Sequence, residues 1–252
     1  MFNFFVSEEN RQGDTFQLTG ADCNHIKNVL RMKKGDTILV SCQGKSHLCT
    51  LTECENGFAS AQIIEEDFQD TELPVKLYLF QGLPKGDKME LIIQKAVELG
   101  VHKIIPVEMN RCVVKLDGKK KASKTARWQA IAESAAKQSK RTLVPEIEMP
   151  LSYSEAIKKA AELDLFLVPY ESKKGMEATK EALSLIKKNS SVGILIGPEG
   201  GFEEAEVEKA FASGGKVISL GQRILRTETA AITALGMCML HTELNLSGDG
   251  ND

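Results

Sequence analysis

The chain is poor in several features that would place it quickly. Only 6% of its 252 residues are aromatic, with a single tryptophan. No apolar run nears the roughly 18 residues of a membrane span; the longest, Ala230 to Leu240, is broken by Thr233. No membrane association is therefore expected. Met1-Phe2-Asn3-Phe4-Phe5 lacks the basic start of a secretory signal. None of the six cysteines, at 23, 42, 49, 54, 112 and 238, forms a C-x-x-C pair. In a chain of this length that argues against a disulfide framework, and free thiols in a reducing cytoplasm are expected. Cys42, His47, Cys49 and Cys54 match no common zinc spacing, so no metal is expected. There is no G-x-G-x-x-G after a first strand and no G-x-x-x-x-G-K-[ST], which disfavours a dinucleotide-binding Rossmann fold and a P-loop NTPase. The four histidines (25, 47, 102, 241) sit in unrelated contexts and suggest no Ser-His-Asp set.

What is present begins with charge. The net charge is −3, yet residues 111–141 hold ten Lys or Arg against Asp117 and Glu133, a local +8 that leaves −11 for the rest. A basic island on an acidic body is either a solvated lysine-rich loop and helix face or an electrostatic footprint for RNA.

The hydrophobic pattern divides the chain in two. Residues 1–70 carry short alternating runs, Thr37 to Val40, Ser46 to Leu51 and Ala59 to Ile64, separated by Gly35, Gly44 and Gly57, with a short helix over His25 to Arg31. This predicts a small β-rich module, a barrel. The acidic stretch from Glu65 to Pro74 ends it, with 71–74 as linker. From Val75 strands that are apolar throughout alternate with helices: strands at Val75 to Phe80, Ile104 to Val107, Leu165 to Val168, Val192 to Ile196 and Val217 to Leu220. Helices are expected at Lys88 to Leu99 with Gly100 as cap, about 121–140, 152–163, 176–188, Glu203 to Ala212 and 228–244. The pattern predicts an α/β domain over 75–246 with a parallel sheet covered on both faces, and a flexible tail at 247–252. The terminal helix is apolar nearly all round. It needs partners on most sides, supplied either by its own subunit or by a second copy.

Ligands in such sheets bind beyond the carboxyl ends of the strands. Three loops there are glycine-rich: Gly82-Leu83-Pro84-Lys85-Gly86-Asp87, Gly197-Pro198-Glu199-Gly200-Gly201-Phe202, and the segment from Leu220 to Ala230. Each is either a tight turn or a place where a ligand approaches the backbone closely. Two on late strands of one sheet favour a pocket for a small ligand held mainly by main-chain groups.

The second and third loops, with Gly221-x-Arg223-Ile224-Leu225-Arg226-x-Glu228-Thr229-Ala230, resemble the RsmE family, uridine-N3 methyltransferases of 16S ribosomal RNA in the SPOUT superfamily. Supporting strings run along nearly the whole chain: His25-x-x-x-Val29-Leu30-Arg31, Gly35-Asp36, Lys85-Gly86-Asp87-Lys88-Met89-Glu90, Lys95-Ala96-x-Glu98-Leu99-Gly100, Arg127-Trp128, Gln138-Ser139, Arg141 and Pro145. The chain departs from the family pattern at Lys137, at Cys112 and over Cys42-Gln43-Gly44-Lys45. The resemblance implies an N-terminal PUA-like RNA-binding barrel and a SPOUT-type domain whose C-terminal segment is threaded into a trefoil knot.

The resemblance further implies S-adenosylmethionine held by Leu195, Ile196, Gly197, Glu199 and Gly200 on one loop and by Leu220, Gly221, Ile224, Leu225 and Thr229 on the other. Val168, Pro169 and Tyr170 would form another wall. It implies a homodimer acting on 16S rRNA or the small ribosomal subunit. A non-catalytic RNA-binding or ribosome-assembly protein on the same fold, or a SPOUT methyltransferase for another rRNA or tRNA position, are the competing readings. Methylation at N3 of uridine puts negative charge on O2, N3 and O4 once the N3 proton leaves, and a guanidinium stabilises it without donating a proton at neutral pH. Arg226 is the first candidate, with Arg111 and Arg141 as alternatives. Glu228 is a candidate to take the proton, to orient Arg226, or merely to complement a helix N-terminus. Lys119, Lys120, Lys121, Lys124, Arg127, Lys137 and Lys140 are expected on RNA phosphates, with Lys85, Gln138, His25 and Arg31 as further RNA contacts.

Overall fold

The computed structural model describes residues 1–55, 57–170 and 175–246. The tail expected at 247–252 lies outside the described residues. The chain forms two compact units.

The first unit comprises Met1–Glu72 together with Ala136–Val144. Its strands are β1 (Asn3–Phe5), β2 (Arg11–Gln12), β3 (Thr15–Thr19), β4 (Thr37–Cys42), β5 (Lys45–Cys54) and β6 (Phe58–Glu65), with a short helix α1 (Gly20–Asn24) continuing into a wider turn over His25–Val29. They form one mixed sheet in the order β1-β4-β5-β6-β3-β2, with only β1 and β4 parallel. Strand alternation sends Ile38, Val40, Cys49, Leu51, Phe16 and Leu18 into a shared core with Phe4 and Ile26. The β4–β5 hairpin closes on Gln43-Gly44, both with positive φ (49° and 79°), as a two-residue turn matched to strand twist requires. Strands β1 to β3 are absent from the sequence-based expectation. β1 and β2 have three and two residues and show no alternation, and β3 is held as a strand by β6 beside it.

The second unit comprises Leu73–Ala135 and Pro145–Asp252. Its strands are β7 (Lys76–Gly82), β8 (Val101–Glu108), β9 (Glu146–Ile147), β10 (Leu151–Ser152), β11 (Leu165–Pro169), β12 (Ser191–Ile196) and β13 (Lys216–Ile218). Between them run α2 (Lys88–Glu98), α3 (Gly118–Gln138, whose last residues enter the first unit), α4 (Tyr153–Ala160), α5 (Glu177–Leu183), α6 (Glu204–Ala212) and α7 (Thr227–Leu246). The sheet is parallel, in the order β10-β8-β7-β12-β11-β13, with β9 also on β8. Its central strands are buried on both faces, which is why they read as continuous apolar runs. Helix α2 ends where expected: Gly100 has φ 83°, and a Cβ there would sit 2.6 Å from Leu73. From β13, at the sheet edge, the chain returns to pack α7 against α2, β12 and β7. That return passage is the segment in which the resemblance places the knot.

The segment 136–144, expected in the second domain, folds into the first unit, and the expected linker residue Glu72 anchors it there. Glu72 Oε1 accepts from Arg141 Nε (3.2 Å), Thr142 N (3.0 Å), Thr142 Oγ1 (3.2 Å) and Leu143 N (3.3 Å), while Oε2 pairs with Arg141 Nη2. Asn3 Nδ2 and Ser41 Oγ donate to the Arg141 carbonyl. No sequence periodicity signals such a clasp, because it is made by residues about 70 positions apart.

Candidate active site

The carboxyl ends of β7, β12, β11 and β13 lie side by side and deliver the glycine loops. The first of these, 197–202, is tied down from four sides. Thr227 Oγ1 donates to the Gly197 carbonyl (2.6 Å), Arg111 Nη1 donates to the Gly200 carbonyl (3.0 Å), and Glu199 Oε1 accepts from Lys85 N (3.0 Å). Phe202 is buried beneath, edge-on to Tyr170 with ring centroids 6.2 Å apart. Glycine is required by close packing: a Cβ on Gly200 would lie 2.9 Å from Arg111 Cβ, and one on Gly82 would lie 2.7 Å from Pro198 N.

The second loop, 219–226, leaves β13 at Ser219. Buried Thr179 of α5 holds it there, donating to the Ser219 carbonyl (2.8 Å) and accepting from Ser219 N (3.0 Å). Gly221 turns the chain with φ 108°. The loop ends on buried Thr227, whose hydroxyl also accepts from Gln81 Nε2 (2.9 Å) on β7. A chain of hydrogen bonds, Gln81 to Thr227 to Gly197, therefore pins the start of α7 to the first loop.

Between the two loops lies a cavity of about 450 Å³, inside the range of small-molecule sites. Of the residues expected on a ligand, Pro169, Tyr170, Ile196, Gly197, Glu199, Gly200, Leu220, Gly221, Ile224 and Leu225 line it, and Arg226 is on its wall. Three expected residues do not. Val168 and Leu195 are wholly buried in β11 and β12, and Thr229 is exposed on α7 outside the cavity. Val168 and Leu195 are each the last residue but one of their strand, where both faces are covered, whereas the cavity opens at the strand ends. Lys88, Phe202, Ser219, Gln222, Arg223 and Ala230 line the cavity without having been expected there. Phe202, Gln222, Arg223 and Ala230 lie in the glycine-rich segments already singled out, and Lys88 directly follows the loop Gly82 to Asp87, whereas Ser219 carried no signal.

The charged groups sort differently from expectation. Lys88 Nζ lies 3.0 Å from Glu199 Oε1 and 3.5 Å from Glu228 Oε2. Burial pushes the Glu199 carboxyl up, but the Lys88 ammonium and the Lys85 and own-chain N–H groups outweigh it and hold it below the usual range. The same carboxylates hold the Lys88 ammonium above its ordinary pKa. Glu228 thus faces Lys88. No ion pair joins it to Arg226, so the expected orienting role is not the arrangement found. The Arg226 guanidinium is exposed and has no hydrogen-bond or ion-pair partner among the described residues.

Arg111 is committed to the Gly200 carbonyl and braces the loop from behind. Arg141 is not available to a substrate. Its side chain is 4% exposed and is clasped by Glu72 in the first unit.

The basic island is partly neutralised. Arg127 pairs with Glu90, Lys121 with Glu108, Lys120 with Asp117 and, within the first unit, Lys137 with Asp22. These four were expected on phosphates and are instead engaged by carboxylates. In the second unit Lys119, Lys124 and Lys85 keep side chains without an ion-pair partner among the described residues. In the first unit Lys140, Arg31, His25 and Gln138 are exposed, and His25 sits edge-on to Phe4.

Residues 71–239 match a family described as an RNA methyltransferase domain, and residues 18–69 one described as an RNA methyltransferase PUA domain. The chain is 43% identical over 256 residues to the ribosomal RNA small subunit methyltransferase E of Bacillus subtilis, covering 99% of this chain and 100% of that one. The chain belongs to the ribosomal RNA small subunit methyltransferase E family. The same family's protein from Mesomycoplasma hyopneumoniae is 36% identical over 95% of this chain and 99% of its own length. The crystal structure of the Neisseria gonorrhoeae family member, bound to S-adenosyl methionine, superposes with a TM-score of 0.83 at 34% identity, covering 95% of this chain and 97% of that one. The family's fold combines a mixed N-terminal sheet of PUA type and a parallel α/β methyltransferase sheet, and both sheets are found here. No described helix is long and apolar enough to cross a membrane, and no metal-holding cluster of His, Cys, Asp and Glu occurs among the described residues.

Proposed function

We propose that this chain transfers the methyl group of S-adenosylmethionine to N3 of a uridine in small-subunit 16S ribosomal RNA. The observation that carries the reading is the cavity between the loops 197–202 and 219–227, with an unengaged guanidinium, Arg226, on its wall. The cavity suits the donor: its walls combine glycine backbone with Leu220, Leu225, Ile196 and Phe202, a slot for a flat heteroaromatic ring read by main-chain groups. When bound, the sulfonium supplies an activated methyl with its own leaving group.

The chain's residues then have three tasks. The Gln81–Thr227–Gly197 hydrogen bonds and the Arg111–Gly200 contact hold the loops rigid, so no reorganisation is needed as the reactants are brought together. Phe202 and Tyr170 close the floor against water. Arg226 meets the negative charge that develops on the uracil oxygens as N3 loses its proton. Lys119, Lys124 and Lys85 meet phosphates and set register, while the first unit, with His25, Arg31, Gln138 and Lys140, supports recognition of the RNA shape. The chain acts as a homodimer on this reading: Ile224 beside the cavity, and Leu240 and Leu244 on α7, are 83%, 53% and 81% exposed in the single chain, an apolar set suited to a second copy.

Arg226→Ala tests the reading. Calorimetry is expected to show cofactor binding retained, and a tritium-transfer assay on small-subunit rRNA to show turnover lost by about 100-fold or more. Full turnover in the variant removes Arg226 from the mechanism. Light scattering on the wild-type chain checks the dimer.

A further inference from the structure

Lys88 stands in the first turn of α2, where the helix macrodipole disfavours a cation. Two carboxylates from different segments, one on the 197–202 loop and one in the first turn of α7, compensate it: Glu199 at 3.0 Å and Glu228 at 3.5 Å. Their situations differ. Glu199 has a second tether, accepting from Lys85 N, and its loop is also held by Arg111 and Thr227. Glu228 is 14% exposed, and its Oε2 is buried without a hydrogen-bond donor, so the Lys88 ammonium is its only ion-pair partner among the described residues. A carboxylate so placed seeks a cation, because desolvation without a counter-charge is costly. Arg226 stands two residues back in the chain, and its guanidinium has no hydrogen-bond or ion-pair partner among the described residues.

We propose that Lys88 is a positioning residue for methyl transfer: by engaging Glu228 it keeps that carboxylate off Arg226 and leaves the guanidinium free for the uridine. This rests on the reading of Arg226 given above. The donor side of the cavity does not depend on Lys88, since the 197–202 loop keeps its other tethers. Loss of Lys88 therefore acts on turnover and spares cofactor affinity, a separation that general damage to the fold would not give.

The test compares wild type, Lys88→Met, Lys88→Arg and the double variant Lys88→Met/Glu228→Gln. Cofactor binding is read by calorimetry with S-adenosylmethionine, and turnover by tritium transfer to small-subunit rRNA. Lys88→Met is expected to lower kcat by about tenfold or more while the cofactor Kd moves by less than about threefold. Lys88→Arg keeps the charge and is expected to stay within about threefold of wild type. Adding Glu228→Gln removes the competing carboxylate and is expected to raise kcat by about fivefold over Lys88→Met alone. If Lys88→Met does not fold, Lys88→Gln takes its place with the same expected outcomes.

A Lys88→Met enzyme with wild-type kcat overturns the role, as does a double variant no faster than the single one, or an arginine that fails to rescue. Wild type that methylates no small-subunit rRNA overturns the functional reading and this role together; active wild type beside an unaffected variant overturns this role alone.

Discussion

Glu72→Ala decides whether Arg141 serves structure or chemistry. In the native chain one Glu72 oxygen accepts from Arg141 Nε, Thr142 N, Thr142 Oγ1 and Leu143 N, and the other pairs with Arg141 Nη2. The Arg141 side chain is 4% exposed and that of Glu72 19% exposed, so truncation takes a carboxylate partner away from a buried guanidinium. Removing one partner of a buried pair costs about 3–5 kcal/mol, and each orphaned N–H adds about 1 kcal/mol, the low end for groups that water can partly reach. Partial overlap between these terms puts Glu72→Ala at about 4 kcal/mol of destabilisation of the first unit. Glu72→Gln keeps an acceptor for Thr142 N and Leu143 N but loses the charge, and is expected at about half that cost. The double change Glu72→Met/Arg141→Met removes both members of the pair together and is expected to recover most of the loss. Urea unfolding followed by circular dichroism gives the free energies, and hydrogen exchange at the Thr142 and Leu143 amides reports the clasp directly. A Glu72→Ala chain within about 0.5 kcal/mol of wild type, with both amides still protected, refutes the clasp and returns Arg141 to the catalytic candidates.

Gly82→Ala drives a methyl to within 2.7 Å of Pro198 N and 2.8 Å of Met109 Sδ; a cost of about 1–3 kcal/mol and weakened cofactor binding by calorimetry are expected. RNA affinity is expected to fall with salt, with a log–log slope of about −2 if Lys119, Lys124 and Lys85 each meet one phosphate of a single strand, while donor affinity barely changes; a flat RNA response excludes that role. For Glu148, burial raises the carboxyl but Lys159 and Lys103 outweigh it and leave it depressed. A depressed carboxylate stabilises the fold fully above its unfolded pKa, near 4.3, and loses that contribution as pH falls through the lower folded value. The difference in melting temperature between wild type and Glu148→Gln is therefore expected to stay constant from neutrality to about pH 5 and to shrink below it.

Much of the second unit was legible because its strands are buried on both faces and its helices are amphipathic, so each element announces its own period. The glycine loops were legible for a related reason: Gly200 and Gly82 stand where only a missing Cβ lets two backbones approach. The run Val168 to Tyr170 shows where reading along the chain fails. Its members look equivalent in order, yet Val168 lies inside β11 and is wholly buried, while Pro169 ends the strand and Tyr170 follows it, at the end where the cavity opens. The basic island fails in another way. Ten cations in 31 residues are plain to see, but their partners, Glu90, Glu108, Asp22 and Glu72, are remote in sequence and visible only once the chain is folded.

By itself the sequence determined the two-part organisation, the parallel sheet, the three glycine loops and the family to which they belong, since all of these depend on local period and on short strings of neighbouring residues. The tertiary structure alone decided that residues 136–144 fold with the first unit, that Arg141 is buried on Glu72, and that Lys88 rather than Arg226 faces Glu228. Each of those is an ion pair or a packing contact between segments far apart in the chain. Charge and burial act through space, and distance along the sequence carries no record of them.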